Sequence, residues 1–342
     1  MKLGLFSLSS DKQSRQLVKA LNAASPGSTI FFDLSLDDPE RSAMDASRLE
    51  WNGVDLTTLD AAFLHGFSYL DPVIPSGDLD LDWSVWREDY IALQMKYTYL
   101  YSLFSELERR GVKVINSPQM HLRAFMKPLL LEQLRAAGLN IAATITTNGI
   151  DAAKAFCAKA PKVVWRPCTG RASYQLFLDK QREALISTKK PPVLLAELKE
   201  GPLVRGYFYD GKPVLFLERY VPDNKYEETL EQFFEVPCAD LREQVALAAH
   251  TLGFPWLQML FIPVDGKAFI YDVDTDPLWE SLPTNWQHQL TALLAAKLLG
   301  QDAGYEAPLT VASGPDCVKQ RPTIFLRRML QILFEFEQSK YS

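Results

Sequence analysis

The sequence predicts an α/β domain with a parallel sheet, followed by a larger α+β region with mostly antiparallel strands and a helical tail. Three observations lead to this prediction. The chain has 342 residues, which is too long for one ordinary core. Apolar strand-like segments alternate with amphipathic helical segments up to residue 118. Beyond it, short apolar segments follow one another closely, with Asp-Gly turn signals at 210–211 and 265–266.

The first third contains four short strand-like segments: KLGLFSL, STIFFDLSL, AAFLHGF and VKVINSP. Two helical segments lie between them. The first, SDKQSRQLVKALNAA, opens with a Ser/Asp cap and carries Leu17, Val18 and Leu21 at helical spacing. The second lies within SVWREDYIALQMKYTYLYSLFSELERRG and ends in basic residues and Gly111. Strands separated by helices predict a parallel sheet with helices on its faces.

The segment HLRAFMKPLLLEQLRAAGLNI predicts one helix despite Pro128, with Leu129, Leu130 and Leu134 on its buried face. Two further helices are predicted in GIDAAKAFCAKA and ADLREQVALAAHTLG. The strand-like segments of this region are AATITTN, KVVWRP, SYQLFLD, PVLLAELK, LVRGYFYDG, KPVLFLERY, WLQMLFIPVDG and KAFIYDVD. The tail predicts two amphipathic helices, WQHQLTALLAAKLLG and TIFLRRMLQILFEFEQSKY, which would allow a homodimer.

The composition excludes several classes of protein. A net charge of −6 argues against nucleic acid as a partner, because phosphate backbones are bound by clustered Lys and Arg. The apolar runs are too short to span a bilayer and the start shows no cleavage-site pattern, so we expect a cytoplasmic protein without a membrane partner. The four cysteines and four histidines are scattered, which argues against a disulfide framework or a zinc site.

The segment IYDVDTDP contains three aspartates, Asp272, Asp274 and Asp276, at every second position. In a strand these carboxylates would point to one face, about 7 Å apart along the chain. Like charges at that distance repel one another. Either this face is open to water or positive groups lie against it.

The order of these segments resembles that of the ATP-grasp ligases of the glutathione synthetase and RimK-like kind. The most specific stretch is GVKVINSPQMHLRAFMKPLLLEQLRAAGLNIAATITTN, and the resemblance extends over about residues 1 to 300. It implies an ATP-grasp fold preceded by an α/β pre-ATP-grasp domain. The implied divisions are residues 1–118, a small subdomain at 119–192, a C-terminal subdomain at 193–305, and a connector with a final helix at 306–342.

The resemblance also implies an activity. Enzymes of this kind use ATP and Mg²⁺ to phosphorylate a carboxylate, and an amine or thiol then attacks the acyl phosphate. Such chemistry requires cations around the triphosphate, carboxylates for Mg²⁺ and shielding from water. The acceptor would be an amino acid, a peptide or a protein tail, and the sequence does not distinguish among them.

Five residues match family positions that contact the nucleotide. Lys127 and Arg166 match the two phosphate-binding lysines, although the planar guanidinium of Arg166 is not equivalent to an ammonium. Glu197 and Leu198 match the hinge along the adenine, and Glu200 would accept hydrogen bonds from the ribose. Plain structural roles stay open: Lys127 as a surface lysine, Arg166 as the partner of a carboxylate, and both glutamates as surface acids.

Four residues match positions near the reacting groups. Arg205 and Arg219 lie on the two strands of a predicted hairpin, where the family contacts phosphates or the acceptor carboxylate. Asp272 and Asp274 match the Mg²⁺-binding Glu and Asn. Asp276 lies past the end of the strand, next to a proline, and we expect it to be solvated or to cap a turn.

The sequence departs from the family pattern at several points. Leu260 stands where another metal carboxylate is expected, and Leu203 replaces the Asp of an Asp-x-Arg pair. CTGRASY offers only Gly170 where a glycine-rich phosphate loop is expected, and YVPDNKYEETLEQFFEVP lacks an Asn-rich motif. Two interpretations follow. The protein is a divergent ligase that binds its metal through Asp272 and Asp274, or a catalytically degenerate ATP-grasp protein that binds nucleotide or a partner in a regulatory or scaffolding role.

Overall fold

The computed structural model describes residues 1–34, 42–67, 83–168, 174–177, 192–201, 203–220, 230–234, 239–280, 282–301 and 318–319. Within these ranges the chain forms one parallel sheet and three antiparallel sheets. Among the described helices, none combines the length and apolar character needed to span a bilayer.

The N-terminal region contains the predicted parallel sheet. Its strands are β1 (Leu3–Ser7), β2 (Thr29–Asp33), β6 (Ala61–Leu64) and β7 (Lys113–Ile115), in the order β2-β1-β6-β7. Helices α1 (Lys12–Ala24) and α2 (Trp83–Arg109) pack on its two faces. The side chain of Asp11 caps α1 by accepting from the amides of Gln13 and Ser14, as the sequence predicts. A small sheet of β3 (Ser42–Met44), β4 (Leu49–Trp51) and β5 (Val54–Asp55) was not predicted.

The single helix expected around Pro128 is instead two helices, α3 (Pro118–Phe125) and α4 (Lys127–Ala136). The chain leaves helical geometry at Met126, and the amide of Lys127 donates to the carbonyl of Cys168 instead of continuing the helix. Pro128 has no N–H to donate to the carbonyl of Ala124, and its ring would crowd that carbonyl, so the first helix cannot continue through it. Leu130 and Leu134 are buried as expected, but Leu129 is exposed, because adjacent residues of an α-helix lie about 100° apart around its axis.

The second sheet is antiparallel, with the order β10-β9-β11-β8. Its strands are β8 (Thr144–Thr147), β9 (Val163–Pro167), β10 (Gln175–Leu176) and β11 (Val193–Glu197). Helix α5 (Ile150–Cys157) packs on one face, and its Ala153 contacts the cluster that contains Leu195 of β11.

The third sheet has six strands in the order β16-β15-β12-β13-β14-β17. They are β12 (Leu203–Tyr209), β13 (Lys212–Tyr220), β14 (Leu230–Phe234), β15 (Trp256–Val264), β16 (Lys267–Asp274) and β17 (Val318–Lys319). Both predicted Asp-Gly turns are confirmed: Asp210 and Asp265 have φ of 47° and 49°, and each is followed by a glycine of positive φ. Helices α6 (Ala239–Leu252) and α7 (Thr284–Leu298) complete this region.

The third sheet is covered on both faces. One face packs on α4 and α6 through Phe208, Phe216 and Leu257. The other face carries Tyr207, Leu215 and Trp256, which share a cluster with α1, α7 and the parallel sheet. The end of β16 therefore lies where the parallel sheet, the second sheet and the third sheet converge.

The predicted C-terminal helix at 323–341 and most of the 306–342 connector lie outside the described residues. The division into domains at 118, 192 and 305 stays a prediction.

Candidate functional site

Three predicted residues from different elements meet at one edge of the third sheet. Lys127 is the first residue of α4, Arg166 lies on β9, and Asp272 lies on the edge strand β16. The Nζ of Lys127 is 2.9 Å from Asp272 Oδ1, and the Nη1 of Arg166 is 2.6 Å from Asp272 Oδ2. The break between α3 and α4 is what brings Lys127 here. We call these three residues the charge cluster.

The charge cluster is shielded from water and carries one excess positive charge. Arg166 and Lys127 are 1% and 4% exposed, and the Asp272 side chain is 14% exposed. Burial acts to raise the pKa of Asp272, but the charges of Arg166 and Lys127 outweigh it and the pKa is lowered overall. Burial acts in the opposite sense on Arg166, yet Asp272 raises its pKa, so the guanidinium stays charged.

The residues paired with Asp272 and Asp274 across the sheet show what else faces the site. In one row, Asp272 pairs with Leu260 on β15, which in turn pairs with Arg205 on β12. In the next row, Asp274 pairs with Gln258. Leu260 thus lies directly beside Asp272, and the amide of Gln258 is the polar group closest in register to Asp274.

Arg205 is the third cation on this face. Its Nε and Nη1 atoms are buried and make no hydrogen bond of regular geometry among the described residues, although the hydroxyl of Tyr207 lies near the guanidinium. Burying such donors is costly unless an acceptor is supplied, so these atoms indicate a place for an anionic group. The side chain of Arg219 lies outside the described residues, although its backbone pairs with Leu203 on β12. Gly170 and the loop around it also lie outside them.

The predicted hinge follows β11 directly. The amide of Leu198 already donates to the carbonyl of Lys162, and the amide of Glu197 donates to Ala143. The Glu197 carboxylate is 2.8 Å from Lys199 Nζ, so it is held along the hinge. Glu200 is exposed, with one carboxylate oxygen 3.4 Å from the Nζ of Lys162.

Two tyrosines that sequence reasoning missed fill the space between the hinge and the charge cluster. The hydroxyl of Tyr271 donates to Glu197 O and accepts from Lys199 N, both at 2.8 Å. The hydroxyl of Tyr174 donates to Tyr271 O at 3.1 Å, and its ring lies 5.3 Å from the guanidinium carbon of Arg166. Tyr271 directly precedes Asp272, and its position next to a predicted site residue was the one feature of the sequence that could have indicated it.

The expectation for Asp276 was wrong, because this residue is buried instead of solvated. It is 1% exposed, its Oδ1 lies 2.8 Å from His65 Nδ1, and the amide of Gly66 donates to it at 3.0 Å. Its own amide donates to Asp274 Oδ1 at 3.0 Å. A histidine partner at the end of β6, more than two hundred residues away, cannot be identified from local sequence.

Asn116, in the Asn-Ser-Pro segment, also joins the parallel sheet to the third sheet. Its Nδ2 donates to Trp256 O at 2.5 Å and to Thr275 O at 2.6 Å, and its Oδ1 accepts from Trp256 N. It therefore holds the start of β15 beside the residues that follow β16. Together with His65, it fixes where Asp272 and Asp274 lie relative to the carboxyl ends of the parallel strands, where ligands commonly bind in such sheets.

The donor atoms here fit a magnesium triphosphate. Two cations meet at Asp272, and Arg205 offers buried donors on the same face. Mg²⁺ is commonly bound through one or two carboxylates, with phosphates and water completing its octahedron, and Asp272 with Asp274 can supply these. Among the described residues, no group of three or more His, Cys, Asp or Glu side chains forms a metal site by itself. Any metal here would therefore depend on the phosphates for its remaining ligands.

Comparison with protein-family models gives no match, and comparison with curated proteins gives none either. Solved structures do match over most of the chain. One is the ATP-grasp ligase PsnB complexed with a minimal precursor, with a TM-score of 0.73 at 19% identity, covering 88% of this chain and 99% of that one. Another is the macrocyclase MdnC of Microcystis aeruginosa MRC bound with the precursor peptide MdnA, with a TM-score of 0.67 at 13% identity, covering 88% and 100%.

A third similar structure is a RimK-domain ATP-grasp protein of Sphaerobacter thermophilus DSM 20745, with a TM-score of 0.57 at 15% identity, covering 86% of this chain and 98% of that one. The fold resemblance read from the sequence is thereby confirmed. By its fold, this chain is similar to solved structures of ATP-grasp ligases and of a RimK-domain protein.

Proposed function

We propose that this protein is an ATP-dependent carboxylate–amine ligase whose substrate carboxylate belongs to a peptide. The observation that carries the proposal is the charge cluster, in which Lys127 and Arg166 meet at Asp272 at a buried position in a fold similar to that of the ATP-grasp ligases. Bound ATP would supply a phosphoryl group that activates the carboxylate as an acyl phosphate, which an amine then attacks.

The side chains have separate roles in this proposal. Lys127 and Arg166 bind the phosphates. Asp272 neutralises only one of their two positive charges, so one positive charge remains to attract the triphosphate. Asp272 and Asp274 bind Mg²⁺. Arg205 donates from its buried nitrogen atoms to the transferring phosphoryl group or to the substrate carboxylate. Arg219, a residue of β13, keeps its predicted role toward the phosphates or the acceptor carboxylate. The hinge at Glu197 and Leu198, with Glu200, borders the nucleoside.

A peptide is the preferred substrate class because of the proteins that share this fold. PsnB is described with a precursor and with Mg and ADP, and MdnC with a precursor peptide. Each of these structures matches this chain over nearly its whole length. This coverage supports a peptide as the substrate class.

The test is a coupled measurement of ADP release and peptide mass. The protein is incubated with ATP, Mg²⁺ and a peptide mixture rich in Asp, Glu and Lys. The proposal predicts ADP formation together with loss of one water per bond formed in a peptide. Arg166→Met is the matched variant, because Lys127 remains to balance Asp272, and it should lower both signals about tenfold or more. If the wild-type protein released ADP no faster than Arg166→Met, the proposal would be contradicted.

A second candidate is a nucleotide-binding protein without ligase activity. The observation that favours it is Leu260, which lies beside Asp272 where the resemblance calls for another metal carboxylate. Such a protein would bind nucleotide or triphosphate equally with Mg²⁺ and with EDTA, and would release no ADP with any acid and amine. A ligase would require Mg²⁺ for both.

A further inference from the structure

The hinge is already engaged by a side chain of the protein itself. Glu197 O and Lys199 N form a backbone acceptor and donor two residues apart, and the Tyr271 hydroxyl satisfies both at 2.8 Å. A hydroxyl can do this because it donates one hydrogen bond and accepts others. One atom of Tyr271 thus contacts both the carbonyl of Glu197 and the amide of Lys199.

The same backbone pair is complementary to the edge of a purine. Adenine carries an amino donor beside a ring nitrogen acceptor, which matches a carbonyl and an amide at this spacing. The neighbouring amides do not provide a substitute, because those of Glu197 and Leu198 donate to Ala143 and Lys162. A base that reaches this hinge therefore competes for the two atoms that Tyr271 holds.

The Tyr271 ring also fills the space beside the hinge. It is 5% exposed and lies in a buried apolar cluster with Ala142, Val164, Ala196 and Ile262. The Tyr174 ring contacts it edge to face, with ring centroids 5.8 Å apart. A flat aromatic group between two sheets, hydrogen-bonded at its edge to the hinge, is what a bound base would look like.

The backbone explains why this side chain points to the hinge. The ladder between β15 and β16 is regular from Gln258 to Leu260 and then shifts register, so that Leu260 pairs with Asp272 but Phe261 pairs with Ile270. Tyr271 is the extra residue of this bulge. A bulge re-aims a side chain, here toward the second sheet, while Asp272 and Asp274 keep their common face.

We infer that Tyr271 is an internal occupant of the base subsite and prevents the hinge of the wild-type protein from selecting a nucleobase. While its hydroxyl holds Glu197 O and Lys199 N, the hinge does not read a base, and ligands bind through their phosphates at the charge cluster. Displacing Tyr271 opens an adenine-selective subsite. This inference rests on the proposed function for the presence of a nucleotide, but it concerns a separate group of atoms.

The experiment separates the two subsites with four ligands, whose binding is measured by calorimetry with Mg²⁺: adenosine, ATP, guanosine triphosphate and inorganic tripolyphosphate. Wild-type protein should bind ATP, guanosine triphosphate and tripolyphosphate with similar affinity and adenosine not measurably. Tyr271→Ala should bind ATP about tenfold more tightly, because two competing hydrogen bonds are gone, and should leave tripolyphosphate unchanged. It should also acquire adenosine binding.

Two further variants complete the design. Tyr271→Phe keeps the ring and removes only the hydroxyl, so it should shift ATP affinity in the same direction by a smaller factor even if the alanine variant fails to fold. Tyr209→Phe is the control, because Tyr209 is a buried tyrosine at the far end of β12 and should change no affinity.

The results that overturn the inference are distinct from those that overturn the proposed function. If wild-type protein prefers ATP over guanosine triphosphate more than tenfold and Tyr271→Phe weakens ATP binding, Tyr271 supports the base instead of replacing it. If folded Tyr271→Ala binds neither adenosine nor ATP more tightly, the inference also fails. Absence of tripolyphosphate binding in every protein refutes the phosphate site of the proposed function, whatever adenosine does.

Discussion

Asp272 answers the question raised by the alternating aspartates. Its carboxylate lies against two buried cations instead of water, so the acidic row is neutralised on that side. The sequence predicts that Asp272 and Asp274 share a face, because strand geometry alone determines this. The sequence leaves open whether Arg166 binds phosphate or a carboxylate. In the structure, the Nη1 of Arg166 lies 2.6 Å from the carboxylate of Asp272. That partnership depends on how two sheets are placed, which no local pattern encodes.

The first prediction concerns Asp272→Asn. The substitution keeps the shape but leaves Lys127 and Arg166 without their common counter-charge in a water-poor site. We expect a loss of about 3 kcal/mol in the free energy of unfolding, measured with urea. Tripolyphosphate should restore part of this loss, because it supplies the missing negative charge. Asp274→Asn is the matched control on the same strand and should cost much less; equal losses would show that the charge cluster is not what stabilises the site.

The second prediction concerns pH. The folded pKa of Asp272 is lowered by Arg166 and Lys127 against the effect of burial, so the ionised carboxylate stabilises the folded protein. This contribution is complete above the unfolded pKa of about 3.9 and is lost as the pH falls through the lower folded value. The stability difference between wild-type protein and Asp272→Asn should thus be constant from neutral pH down to about pH 5 and shrink below about pH 4. A difference that grows on acidification would contradict the sign.

At the scale of the element, turns and strands were predictable and breaks were less so. The Asp-Gly signals gave both hairpins because positive φ is a local requirement. The division of the predicted helix at Met126 was missed. The first turn of a helix tolerates proline, so Pro128 is compatible with a new helix, but it does not by itself show at which residue the preceding helix ends. This break matters for the site, because it makes Lys127 the first residue of α4.

The third prediction concerns the glycine at the end of the hinge. Gly201 has a φ of 152°, and a Cβ there would lie 2.8 Å from Ile262 Cγ2 and 2.9 Å from Pro263 O. Gly201→Ala should therefore cost about 2 kcal/mol or more of stability and displace the hinge. Gly253→Ala is the control, because that glycine also has positive φ, 66°, but open space around it. Equal thermal shifts for the two variants would show that contact with β15 is unimportant.

At the scale of the whole molecule, the site depends on the contact between the parallel sheet and the third sheet. His65 and Asn116 reach from the ends of β6 and β7 to Asp276, Thr275 and Trp256. The parallel sheet and the antiparallel sheets were predictable from hydrophobic periodicity and turn residues. The contact between them was not, because it is made by isolated polar side chains far apart in sequence. The resemblance supplied the order of the elements, which is why the fold was predicted better than the site.

The fourth prediction tests this contact. Asp276→Ala removes a buried acceptor from His65 and from the amide of Gly66, which should cost about 2 kcal/mol of stability. The Gly66 amide should also exchange its hydrogen faster. Asp210→Asn, which removes the charge from a half-exposed ion pair with Lys113 but tolerates the positive φ of this turn, is the control and should change stability by less than about 1 kcal/mol. An unchanged exchange rate at Gly66 in Asp276→Ala would refute the proposed coupling.

The most direct test of the central claim is calorimetric titration of the wild-type protein and Arg166→Met with ATP. We expect the wild-type protein to bind ATP only when Mg²⁺ is present. Arg166→Met, which keeps the Lys127–Asp272 pair, should bind ATP at least about tenfold more weakly. Absence of heat with wild-type protein, or equal affinity in the two proteins, would contradict the assignment of the charge cluster as a triphosphate site.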